Sequence, residues 1–177
     1  MIEPSQVYAE AKKRENENYR FRTFLKNNAD HDELDKQFFE LHHELFSGYD
    51  CGKCNNCCRE YSTTIPENEA GAIAAFLGLT KQGFTEKYLI RSVEGHELKA
   101  PCCFLKENGG CAIEECKPAE CVGFPYTDKP ERLQSLLGVI KFAEVCPIVF
   151  EMLERLKISY RFRARRKGWY ARLRNRL

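Results

Sequence analysis

At 177 residues the chain has the length of one ordinary domain and can bury a real core without cross-links, so smallness does not explain its ten cysteines. A secretory leader and a membrane span are not expected: Glu3, Glu10 and Lys12 interrupt the opening residues, and nowhere do about 18 uncharged apolar residues follow one another. The net charge of +2 hides an acidic body and a basic end, since residues 155–177 hold ten Lys or Arg and no acid, while the first 154 carry 18 basic against 26 acidic side chains, a balance of −8.

These features lead us to expect a cytoplasmic protein. In a reducing compartment ten cysteines are poor candidates for stable disulfides, and their density points to metal binding or thiol redox chemistry.

In chain order, the stretch to about Asn28 reads as a helix with loosely spaced apolar positions (Val7, Tyr8, Phe21, Phe24, Leu25). A stronger helix follows, in which Asp30 and Glu33 have capping-box spacing, Leu34, Phe38, Leu41 and Leu45 form one stripe, and Gly48 ends it. It delivers the chain to Cys51. Thr64, Pro66 and Glu67 mark the start of a helix whose buried face is Ala70, Ile73, Ala74 and Leu77, stopped at Gly78. A short helix from about Thr80 to Leu89 comes next, and "IRSVEGHELKA" suits a small hairpin. From Cys102 to Pro125 the chain reads as loop with one helical turn, and two helices close the sequence, one near Glu131–Lys141 and one from Pro147 onward. The expectation is a mainly α fold, a small helical domain with irregular cysteine-rich loops organised around one or two metal centres. Residues 1–29 would form a helical extension, 30–150 the cysteine-cluster domain, and 151–177 a basic C-terminal helix and tail.

"DCGKCNNCCRE" places Cys51, Cys54, Cys57 and Cys58 in eight positions. Two residues between cysteines let a tight turn aim both thiolates at one ion, a spacing used for zinc and for iron–sulfur ligation. Adjacent side chains point apart, so one of Cys57 and Cys58 serves a second metal or iron position, or bridges. The remaining cysteines, Cys102, Cys103, Cys111, Cys116, Cys121 and Cys146, are dispersed, as when a fold closes a site begun by a local run. A free cysteine is often a small buried hydrophobe, and that reading is preferred for Cys103 and Cys116. It fails for 51–58, where Gly52, Lys53, Asn55 and Asn56 are too polar for a core strand. A thiol–redox site needs one reactive pair, which leaves most of the cysteines unexplained.

The run, followed by "TTIPENEAGAIAAFLGLTKQGFTEKYL" and "PCCFLKENGGCAIEECKPAECVGFPY", resembles the CxxCxxCC family of zinc- or iron-chelating domains, the YkgJ-type cysteine cluster family, over about Asp30 to Cys146. Matched by position, the resemblance implies the ligands Cys51, Cys54, Cys57, Cys58, Cys102, Cys111, Cys121 and Cys146, with Cys103 at a variable position. Eight thiolates are the ligand count of two four-thiolate sites. The chain departs from the family's pattern at Glu114, usually Tyr, and at Lys117 and Val122, usually Arg, which changes the hydrogen bonds offered to sulfur but no ligand.

Thiolate-only ligation suits both metals. Cys-x2-Cys-x2-Cys with a remote Cys146-Pro147 follows a bacterial ferredoxin run and leans toward an iron–sulfur cluster of the 4Fe–4S type, with zinc close behind. The radical-SAM spacing Cys-x3-Cys-x2-Cys is absent, as are a Gly-rich phosphate loop, a Ser-His-Asp order and a His pair with a carboxylate at ligand spacing, so no enzyme activity is assigned. An iron–sulfur redox or protein-modifying enzyme component and a zinc-stapled nucleic-acid or protein interaction module stand as alternatives, with a protein partner open in either case. His42 and His43 read as an exposed helix-borne pair, and His31 and His96 have no assigned role. In residues 155–177 Tyr160, Phe162, Trp169 and Tyr170 interleave with basic side chains. Docking back onto the acidic body or plain solvation is preferred to contact with nucleic acid or an anionic membrane.

Overall fold

A computed structural model of the chain describes residues 1–93 and 95–163. The expected opening helix comes as two, α1 (Val7–Lys13) and α2 (Glu15–Asn28), because Arg14 leaves helical geometry at φ −99°, ψ 1° and reaches back to the Glu10 carboxylate at 2.6 Å. Helix α3 (His31–Phe46) starts as its sequence predicts. The Asp30 carboxylate accepts the Glu33 N–H at 3.0 Å, Leu34, Phe38 and Leu45 are buried, and the chain leaves through Gly48 at φ +80°, where a side chain would be strained.

Helices α9 (Arg132–Phe142) and α10 (Pro147–Ser159) complete the larger core. α9 packs against α2 and α3, and α10 against α1 and α3, enclosing Phe21, Leu25, Leu34, Phe38, Leu136 and Met152. Each such side chain removed from water stabilises the fold by about 1.5–3 kcal/mol. Asp35 of α3 accepts the N–H groups of Glu131 and Arg132 at 2.7 Å each, so α9 is capped from a neighbouring helix. Residues 1–29 thus share a core with the last helices.

The chain between these helices builds a second, smaller core. Helices α6 (Glu67–Phe76) and α7 (Lys81–Tyr88) lie beside an antiparallel sheet of β1 (Thr63–Thr64), β2 (Leu89–Ser92) and β3 (Gly95–Leu98) in the order β1-β3-β2. Ile65, Ile73, Phe84, Leu98, Phe104 and Ile113 are among its buried side chains. The expected hairpin is β2–β3, with Leu89 opposite Leu98 and Arg91 opposite His96. Thr64, expected to open a helix, instead pairs with Glu97, and α6 begins after Pro66 with Glu67 and Glu69 in its first turn.

The start of the basic segment docks onto the body. Lys157, only 5% exposed, is held between Glu154 at 2.7 Å and Glu17 at 3.1 Å, and Arg155 bonds Glu151 and Glu44. Tyr160 and Phe162 pack against Phe21 and Phe24. Trp169 and Tyr170 lie outside the described residues. No helix among the described residues is long and apolar enough to cross a membrane.

Candidate metal centre

The cysteine run, expected as a turn, folds into two single-turn helices, α4 (Cys51–Cys54) and α5 (Asn56–Glu60). The Asp50 carboxylate caps α4 by accepting the Lys53 N–H at 3.2 Å, and Asn55, left-handed at φ +51°, breaks the chain direction while its side-chain amide donates to the Gly52 carbonyl. Asparagine tolerates this conformation better than most residues. The two turns therefore present their thiols at an angle to one another.

Three further contacts bring the dispersed cysteines to the run. The Cys102 N–H donates to the Cys58 carbonyl at 2.7 Å, and Leu105, whose N–H bonds the Cys102 carbonyl, forms an antiparallel bridge with Cys111. The Asn56 side-chain amide donates to the Val145 carbonyl at 2.6 Å, holding the run against Cys146, the residue that precedes α10. Cys121 comes from the short helix α8 (Ala119–Gly123), which packs on β1. At Gly109 (φ +86°) the loop presses on α4 so closely that a Cβ would stand 2.8 Å from the Gly52 carbonyl oxygen, which only glycine permits.

Cys51, Cys54, Cys57, Cys58, Cys102, Cys111, Cys121 and Cys146 all line one cavity of about 420 Å3. It lies at the seam of the two cores: Cys146 belongs to the helical core, whereas Cys102 and Cys111 pack on the smaller one. Phe46, Tyr49, Tyr61, Phe124 and Ile113 supply apolar wall, and no histidine among the described residues lines it. All ten thiols are free. Among the described residues no three His, Cys, Asp or Glu side chains are grouped so as to hold one ion as placed, so the eight thiols face a shared space without closing on a point.

Cys103, expected as a buried filler, is exposed, because it follows the inward-facing Cys102 and points the other way. Cys116 packs on the smaller core and faces a separate shallow depression with Glu69, Lys117 and Val122. His42 is half-buried against Phe46, with its Nδ1 2.9 Å from the Thr127 hydroxyl; His43 meets Phe39 edge-on. His31 is exposed at the start of α3.

Burial pushes the Cys146 thiol up to about 12 and Cys121 up to about 11, and it raises Cys51 and Cys102 as well. Cys58 rises because its thiol donates to Cys57, and Cys57, accepting that bond, is lowered. Most of the thiols therefore hold their protons in the metal-free chain, and a bound cation displaces them. Lys117 lines the cavity beside Cys58 and Cys111. Burial opposes its charge, but the bond to Glu114 and the neighbouring sulfurs outweigh that and raise it. An all-sulfur donor set in an apolar cavity fits zinc and iron–sulfur chemistry alike.

Sequence reasoning missed Tyr49, whose hydroxyl bonds the Cys54 thiol, and the pinning role of Asn56. Their only signal was adjacency to the run.

A family model, "CxxCxxCC: Putative zinc- or iron-chelating domain", matches residues 50–147. Comparison with curated proteins and with solved structures gives no match.

Proposed function

The chain belongs to the CxxCxxCC family of zinc- or iron-chelating domains, and we propose that it is an iron–sulfur protein whose eight cavity-lining cysteines hold clusters of the 4Fe–4S type. The observation that carries this reading is the convergence of those cysteines on a single apolar cavity of about 420 Å3. A structural zinc ion is enclosed by its own four ligands and needs no such space, whereas a polynuclear cluster does. Cys51, Cys54 and Cys57 at Cys-x2-Cys-x2-Cys spacing, with Cys146-Pro147 remote, add support from the sequence.

When bound, such a cluster supplies one-electron transfer. The chain's own residues orient the thiols through the Asn56 and Cys102 hydrogen bonds, offset thiolate charge with Lys117, and exclude water with Phe46, Tyr49, Tyr61 and Phe124. Anaerobic purification tests the proposal. A brown protein absorbing near roughly 400 nm, with iron and inorganic sulfide in equal amounts, is the expected result. A colourless protein carrying about two zinc ions and no sulfide overturns it.

A further inference from the structure

Resting on the reading that the chain chelates metal through these eight thiols, we infer that they form two separate centres divided between neighbouring residues, Cys51, Cys54, Cys57 and Cys146 in one and Cys58, Cys102, Cys111 and Cys121 in the other.

The division follows from how α5 is tied down. Consecutive residues on a helix project about 100° apart, so Cys57 and Cys58 leave α5 in different directions even though their thiols stay within bonding reach of each other. Each flank of the pair is fastened to a different remote segment. On one side the Asn56 amide holds the Val145 carbonyl at 2.6 Å, next to Cys146. On the other the Cys58 carbonyl takes the Cys102 N–H at 2.7 Å, and Cys102 leads through Leu105 to Cys111.

The remaining thiols sort in the same way. Tyr49, packed on the helical core, bonds the Cys54 thiol one turn from Cys51, whereas Cys121 comes from α8, which packs on β1 beside the smaller core. Packing agrees too, because Cys146 is seated in the helical core and Cys102 and Cys111 on the smaller core. Each centre thus joins part of the run to one core.

The test titrates the reduced, metal-free full chain with cobalt(II) under anaerobic conditions and reads the sulfur-to-cobalt charge-transfer band. The wild type takes up about two equivalents, and Cys51→Ser/Cys54→Ser and Cys102→Ser/Cys121→Ser each take up about one. The division is overturned if the wild type saturates at one equivalent, or if either double variant loses both equivalents or neither. Should a variant fail to fold, the cobalt-loaded wild type decides alone: a magnetic moment equal to two isolated high-spin ions supports two centres, and a moment reduced by thiolate bridging overturns them. A wild type that shows no sulfur-to-cobalt band yet assembles iron with sulfide overturns the division into two ion-binding centres, whereas one that takes up neither cobalt nor iron with sulfide refutes metal chelation itself.

Discussion

Asn56 is the residue whose removal tests how the cavity is assembled. It is 8% exposed, and its side-chain amide is the donor to the Val145 carbonyl at 2.6 Å. Asn56→Ala leaves that carbonyl enclosed without this partner, a loss of about 1–3 kcal/mol. The folding equilibrium then falls by roughly five- to 150-fold, at about 1.4 kcal/mol per factor of ten. Urea unfolding of the reduced, chelator-treated chain, followed by far-ultraviolet circular dichroism, measures the effect without metal. Asn56→Asp sharpens it, since a carboxylate offers the carbonyl no donor and brings two oxygens together, so it destabilises at least as much as alanine. Affinity at the centre containing Cys146 falls in addition by about 10–100-fold, as is typical when a group that orients ligands is lost. An Asn56→Ala midpoint and slope equal to wild type would refute the claim that this bond fastens the run to the helical core.

Three other outcomes are expected. Burial holds His42 below its ordinary 6.5, against the opposing pull of Asp128, so stability is complete above 6.5 and declines as pH falls through that value toward the lower folded-state value. Denaturation midpoints at about pH 7.5 and 5.5 show this decline in the wild type and a smaller one in His42→Gln. Lys117→Met removes the cation beside Cys58 and Cys111, and the loaded chain then yields metal to a competing chelator with an affinity lowered by about tenfold, whereas Lys117→Arg stays near wild type. Chelator treatment of the loaded protein lowers its melting temperature by several degrees or more, because ligation free energy adds to folding free energy; superimposable melts would count against ligation across the seam.

The helices were legible where one segment carried its own signals. Asp30 with Glu33, the Leu34–Phe38–Leu45 face and Gly48 give α3 within a residue at each end. Thr80 likewise caps α7 through the Gly83 N–H at 3.0 Å. What escaped were contacts between distant segments. Asp35 caps a helix almost a hundred residues away, and Thr64 pairs with Glu97, so neither role is written in the neighbouring sequence. The run at 51–58 was legible as a cysteine cluster, which the fold brings to one cavity, but not as two turns hinged at Asn55, whose left-handed backbone lies against Gly52 and Gly109. Cys103 illustrates the opposite error: burial is frequent for free cysteines, yet its neighbour Cys102 takes the inward direction and leaves it outside.

The placement of the cavity also bears on what holds the chain together. Helices from both ends of the sequence form the larger core, and residues 63–113 form the smaller one, so the two are joined by the segments that carry the cysteines. Across that seam cysteine sulfurs, aromatic rings and aliphatic side chains such as Leu98, Leu105 and Ile113 surround open space. Dispersion and burial therefore contribute less there than inside either core. Ligation by the proposed ligands would supply the missing connection by closing chain segments far apart in sequence, as a cross-link does. Tyr49 lies outside the span matched by the family model, as does Phe46, yet both line the cavity, so the helical core takes part in building the site as well as supporting it. A metal bound at Cys146 reports on the helical core, and one bound at Cys102 and Cys111 on the smaller core, which is why loss of either centre should loosen one side of the molecule more than the other.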